Sequence, residues 1–133
     1  MKTKLFILGL FTSLALIQSC SKSEAPAPSM VGYWVGKYGN GSGAAQRDLS
    51  YLLYANGTMR IYDGNNTDTA KADKGKGTYF VSGTKINGTG TSLVNSTYRF
   101  SFVATTDEQF TTMSGTWGSG TTTTGNTFFL NKK

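Results

Sequence analysis

Thr97-Tyr98-Arg99-Phe100-Ser101-Phe102-Val103-Ala104 carries Tyr98, Phe100 and Phe102 at alternate positions, with Thr97, Arg99 and Ser101 taking the others. Successive side chains of a strand point to opposite faces, so this stretch is apolar on one side and polar on the other. Such a strand belongs to an antiparallel sheet with one solvated face. Residues 58–62 repeat the pattern, with Met59 and Ile61 opposing Thr58, Arg60 and Tyr62. Residues 49–54 are apolar on both sides, Leu49, Tyr51 and Leu53 against Leu52 and Tyr54, so their outer face also needs a cover.

Extending the same reading gives eight strands, at 31–38, 49–54, 58–62, 77–82, 84–89, 97–104, 109–117 and 126–130. No segment sustains a 3.6-residue apolar repeat, so no helix is expected. Asn56-Gly57 joins the second and third strands as a type I′ hairpin signal, and Ser82-Gly83 and Asp107-Glu108 mark two further tight connections. Residues 63–76 are polar and charged and read as a surface loop. A flat sheet of eight short strands would expose two edges. Closing it into an all-β, antiparallel, up-and-down barrel removes them and leaves a lumen wide enough for side chains or one small ligand. A two-sheet β-sandwich is the alternative.

On the first strand, Gly32-Tyr33-Trp34 resembles the Gly-x-Trp motif of lipocalins and their calycin relatives. The order of a Trp strand, an Asn-Gly hairpin, aromatic strands and Gly115-Thr116-Trp117 before Phe128-Phe129-Leu130 is similar to small lipocalin-like lipoproteins. The resemblance implies a glycine that lets the chain bend and a Trp34 that plugs the closed end. An Arg on the last strand usually covers that Trp, whereas here the last strand offers only Lys132 and Lys133, and the parity of Arg99 points it outward. Avidins match the length and the early Trp, but their biotin contacts do not align, so no site is carried over.

The chain opens with Met1-Lys2-Thr3-Lys4, then thirteen residues, 5–17, without a charge. That run is too short to span a bilayer and suits a signal-peptide core. Ile17-Gln18-Ser19-Cys20 closes it and resembles the lipobox of bacterial lipoproteins, in which the Cys is lipidated and becomes the first mature residue. Residues 1–19 are therefore expected to be a lipoprotein signal peptide, 20–29 the lipidated Cys20 and a flexible tether holding Pro26 and Pro28, and 30–133 the barrel domain. This places the protein in the cell envelope, at the outer membrane, on either its periplasmic or its surface face.

Composition narrows the chemistry. Loss of Lys2 and Lys4 takes the formal charge from +6 to +4, and no basic stripe with interleaved aromatics points to nucleic acid. The chain has no histidine, and its one cysteine is the lipidation site. Neither the usual general base nor the usual zinc ligands are present, so no metal, no cofactor and no enzyme activity are expected. Asp107 and Glu108, the adjacent acid pair, read as a solvated turn. Asp48 is the one acid with a route to a barrel mouth. Residues 39–43, Gly-Asn-Gly-Ser-Gly, form a loop that would give 39–47 a contact role at that mouth. Asp68-Thr69-Ala70 resembles the acceptor of a general O-glycosylation system, with Thr69 as the modified residue.

Trp34 and Trp117, with Tyr51, Tyr79, Tyr98 and Phe100, are candidate walls of a ligand cavity, or else simply fill the core. The function expected is a lipid-anchored envelope protein binding a small apolar or amphipathic ligand in its barrel. The alternative is a protein-binding module, an inhibitor or accessory subunit of a surface assembly, working through its loops.

Overall fold

The alternating stretches become strands. In the computed structural model, which describes residues 26–41, 43–64 and 73–133, they are β1 (Gly32–Tyr38), β2 (Arg47–Leu53), β3 (Thr58–Asp63), β4 (Asp73–Ser82), β5 (Lys85–Ser92), β6 (Arg99–Thr106), β7 (Thr112–Ser119) and β8 (Asn126–Lys132). Each pairs antiparallel with its sequence neighbour, and β8 returns to β1 with Trp34 opposite Lys132 and Tyr38 opposite Phe128. The sheet is a closed up-and-down barrel and not a sandwich. The expected signal peptide at 1–19, Cys20, most of the expected tether and Thr69 lie outside the described residues.

Parity sorts the side chains as read from the sequence. Leu49, Tyr51 and Leu53, Met59 and Ile61, and Phe100, Phe102 and Ala104 all enter one interior cluster. Rings fill its middle: Tyr51, Phe102 and Phe128 lie pairwise with centroids 5.6–5.9 Å apart. Room for them comes from glycines on β5. A Cβ on Gly88 would lie 2.2 Å from the Phe102 ring, and one on Gly90 2.3 Å from that of Phe100. The outer face of β2 is covered at Ser50, which is fully buried, accepts a hydrogen bond from the Tyr33 hydroxyl and donates one to the Gly64 carbonyl. Leu52 beside it stays half-buried and Tyr54 exposed.

The N-terminal end of β1 is the closed end. Trp34 is fully buried there, and its Nε1 donates to the Met30 carbonyl at 2.9 Å. Gly32 holds φ at +133°, a conformation that L side chains rarely adopt. The Lys132 ammonium sits 5.9 Å from the centroid of the Trp34 ring and donates to the Ser29 carbonyl. Lys132 thus takes the place over the Trp that the sequence left without an Arg.

Four local expectations are corrected. At the β2–β3 hairpin only Gly57 has positive φ (+78°), so the turn is not type I′. Gly57 N donates to the Tyr54 carbonyl, while Asn56 Oδ1 accepts from Thr58 N and Oγ1. Residues 73–76, expected in a loop, belong to β4, where Gly75 pairs with Ile61 and Lys76 with Arg60. There exposed lysines alternate with inward glycines, which gives strand geometry without an apolar signal. Strand β7 starts at Thr112, because Gln109 and Phe110 form the preceding turn. Strand β6 starts at Arg99, leaving Tyr98 in the loop before it.

The β6–β7 turn is held by Asp107. Its carboxylate accepts from Thr111 Oγ1 at 2.5 Å, Thr112 N at 2.8 Å and Thr111 N at 2.7 Å. Phe110 follows in the left-handed region, φ 51°, with its ring against the core. These hydrogen bonds, the Thr111 hydroxyl first, hold the Asp107 carboxyl at about 2, below its usual 3.8. A lowered folded-state value means the stabilisation is present above the unfolded-state pKa and vanishes as pH falls through about 2. The stability difference between the protein and its Asp107→Asn variant should therefore be constant near neutrality and close between about pH 4 and pH 2. Thermal melts across that range check it, and a difference that stays constant at every pH would contradict it.

Candidate functional site

The opposite end of the barrel, where β1, β3, β5 and β7 finish, is the mouth. Above the Tyr51–Phe102–Phe128 rings the interior is not filled, and a cup of about 270 Å³ opens there. Tyr51 and Phe100 line its lower part from β2 and β6. Trp117 comes from β7, and Tyr38, from β1, meets it edge-to-face with centroids 5.9 Å apart. Tyr98, partly exposed, and Val94, largely exposed, border it from the β5–β6 loop, and Leu93 beside them is exposed too. Lys74 and Ser92 supply the polar groups of the rim.

Of the candidate cavity residues, Tyr51, Tyr98, Phe100 and Trp117 meet in this cup, while Trp34 and Tyr79 do not. Trp34 closes the far end. Tyr79 packs against the core and its hydroxyl donates to the Tyr54 carbonyl at 2.8 Å. Sequence reading missed Tyr38, Tyr62, Leu49, Ile61 and Lys74. Parity puts Tyr62 on the outer face. Tyr62 stays opposite Ser50 in the β2–β3 register, yet it is 2% exposed and borders the cup. Lys74 was hidden in the supposed loop. Leu49 and Ile61 were legible as inward residues, but nothing in their spacing says how near the mouth they stand.

No family model, curated protein or solved structure matches the chain.

Among the described residues, the titratable groups lining the cup are tyrosine hydroxyls and the Lys74 ammonium. Burial pushes the Tyr51 hydroxyl up, so it stays protonated. The indole Nε1 of Trp117 is buried with no acceptor among the described residues. Asp48 does not face the cup. It pairs with Lys37 at 2.8 Å, at neighbouring positions of β1 and β2 whose parity is outward, and both side chains are half exposed. Asp107 is committed to its turn, and Glu108 is exposed beside it. Among the described residues no three His, Cys, Asp or Glu side chains come together as a metal site. Residues 39–41 and 43–46 lie at the mouth, pinned by Gly39 N to the Thr127 carbonyl and Gly41 N to Asn126 Oδ1, and none of them lines the cup. Next to it, the Arg47 guanidinium lies 5.9 Å from the centroid of the Tyr38 ring. The arrangement can shelter an apolar body and leave a polar end at the rim.

Proposed function

We propose that this protein is a lipid-anchored, lipocalin-like envelope barrel that holds a small apolar or amphipathic molecule in the aromatic cup at its mouth and does no chemistry on it. The observation that carries the reading is the division of the interior, packed rings below and an aromatic-walled opening above. A concave, mainly apolar site with a few polar groups suits such a ligand, and about 270 Å³ is near the lower end of the usual range for small-molecule pockets. The bent Gly32, the buried Trp34 and the Lys132 ammonium over it support the lipocalin-like part. The Ile17-Gln18-Ser19-Cys20 stretch supports the anchor. Cys20→Ala should leave the protein in the soluble fraction or as an unprocessed precursor, since stable attachment needs the acyl chains.

The full chain in mild detergent, titrated with the amphipathic probe 1-anilinonaphthalene-8-sulfonate, tests the cup. Binding should be saturable and should alter Trp117 emission, because that ring lines the site. Tyr98→Ala should weaken it, by roughly tenfold for a well-placed aromatic contact. The melting temperature should fall much less than for a core aromatic, since Tyr98 is 37% exposed. Unchanged binding by Tyr98→Ala would contradict the reading. The exposed Leu93 and Val94 favour a second reading, in which the same rim docks a protein partner. A rim that takes up no probe but captures an envelope protein, and loses it in Val94→Asp, would establish that instead.

A further inference from the structure

The β7–β8 loop, residues 120–125, does not project from the barrel. Ser101 Oγ donates to the Gly120 carbonyl at 2.7 Å and Thr116 Oγ1 to the Thr123 carbonyl at 2.6 Å, drawing the loop down onto the outer face of β6 and β7. Gly118 is buried beneath it, where a Cβ would meet the Thr122 and Thr124 carbonyls at 2.7–2.8 Å. The folded-back loop forms one wall of a groove of about 320 Å³ along the outside of the barrel. Thr121 and Thr123 stand on that wall, Asn87 and Thr89 on the floor, and Thr78 and Phe80 on the far side.

The chemistry of this groove is specific. Among the described residues no ionisable carboxyl, amine or guanidinium lines it, so it offers an anion no charge-assisted hydrogen bond. The closed barrel presents no unpaired edge to which a peptide strand could be added. Among the described residues, Asn87, Thr78, Thr89 and Thr121 make no side-chain hydrogen bond, so an amide and three hydroxyls, each both donor and acceptor, remain available. Phe80, 67% exposed, stands at the edge as a flat ring opposite Asn87 in the strand register. A ligand that suits this set is uncharged, rich in hydroxyls and has an apolar face to lie on the ring. We propose that the outer groove between β4–β5 and the β7–β8 loop is a binding site for a neutral saccharide, separate from the cup at the mouth.

The test is nuclear magnetic resonance titration of the full chain in detergent micelles. The probes are neutral hexasaccharides of α- and β-linked glucose, mannose and N-acetylglucosamine, with an acidic galacturonate hexamer as control. At least one neutral sugar should bind saturably and shift the Asn87 side-chain amide and the Phe80 ring. Phe80→Ala should weaken binding at least fivefold, about the worth of one stacked ring. Its melting temperature should be unchanged because the ring is exposed, and saturating the cup with the naphthalene probe should not displace the sugar. No neutral sugar bound at millimolar concentration, binding of the acidic hexamer alone, or undiminished binding by Phe80→Ala would each overturn the proposal. None of these outcomes bears on the cup.

Discussion

Replacing Trp34 with alanine is expected to destabilise the barrel by about 3–5 kcal/mol, the range for truncating a large aromatic in a core. The indole is the largest fully buried side chain and has 0% exposure. Its removal would leave a cavity at the closed end, release the Met30 carbonyl from its hydrogen bond and strip Lys132 of the ring beneath it. The two polar losses compound the cavity, because a buried acceptor without a donor costs free energy of its own. Lys132→Met, which keeps the stem and removes the charge, should cost much less, about 0.5–1 kcal/mol for a cation over an aromatic face. Urea unfolding of the full chain measures both. Ligand binding at the mouth should survive in whatever fraction of Trp34→Ala remains folded, since Trp34 does not line the cup. An unchanged unfolding midpoint for Trp34→Ala would mean that the residue does not close the barrel.

The seam between β1 and β8 should be equally intolerant at Gly36. There a Cβ would fall 1.9 Å from the Phe129 carbonyl oxygen and 2.8 Å from the Leu130 Cα. Both are backbone atoms of the paired strand, so no side chain can swing aside. Overpacking of a well-packed site costs about 1–3 kcal/mol and sometimes more. Gly36→Ala should reach the top of that range, because relief requires β8 to separate from β1. Amide exchange in residues 128–132 should accelerate selectively, reporting the opened seam. Gly43→Ala is the control, since nothing lies within 4 Å of a Cβ there. If Gly36→Ala is as stable as Gly43→Ala, β8 does not close the barrel at this register.

Much of this architecture was legible in single residues. Alternation in 97–104 and 58–62 assigned the inward face, and the exposure of strand edges argued for closure, which the β1–β8 pairing achieves. What escaped had no apolar signature. Strand β4 opens with Asp73-Lys74-Gly75-Lys76-Gly77, where the inward positions are glycines and a register shift against β3 leaves Lys74 as the extra residue between Asp73 and Gly75. Gly88 and Gly90 looked like weak strand residues, but they are the space into which Phe102 and Phe100 fit. Such complementarity between neighbouring strands is invisible until the register is known. At the site, Tyr51, Tyr98, Phe100 and Trp117 could be picked out as aromatic wall candidates, but depth along the barrel could not. Trp34 and Tyr79 share their chemistry and stand elsewhere.

A small amphipathic ligand is expected at the mouth and not in the packed interior below it. Chemical-shift mapping of the full chain in micelles during titration with dodecanoate tests it most directly. Saturable shifts should centre on Tyr98, Phe100 and Trp117 and leave Trp34, Met59 and Met113 at the closed end unmoved. Shifts that never saturate, or that centre on the closed end, would contradict it.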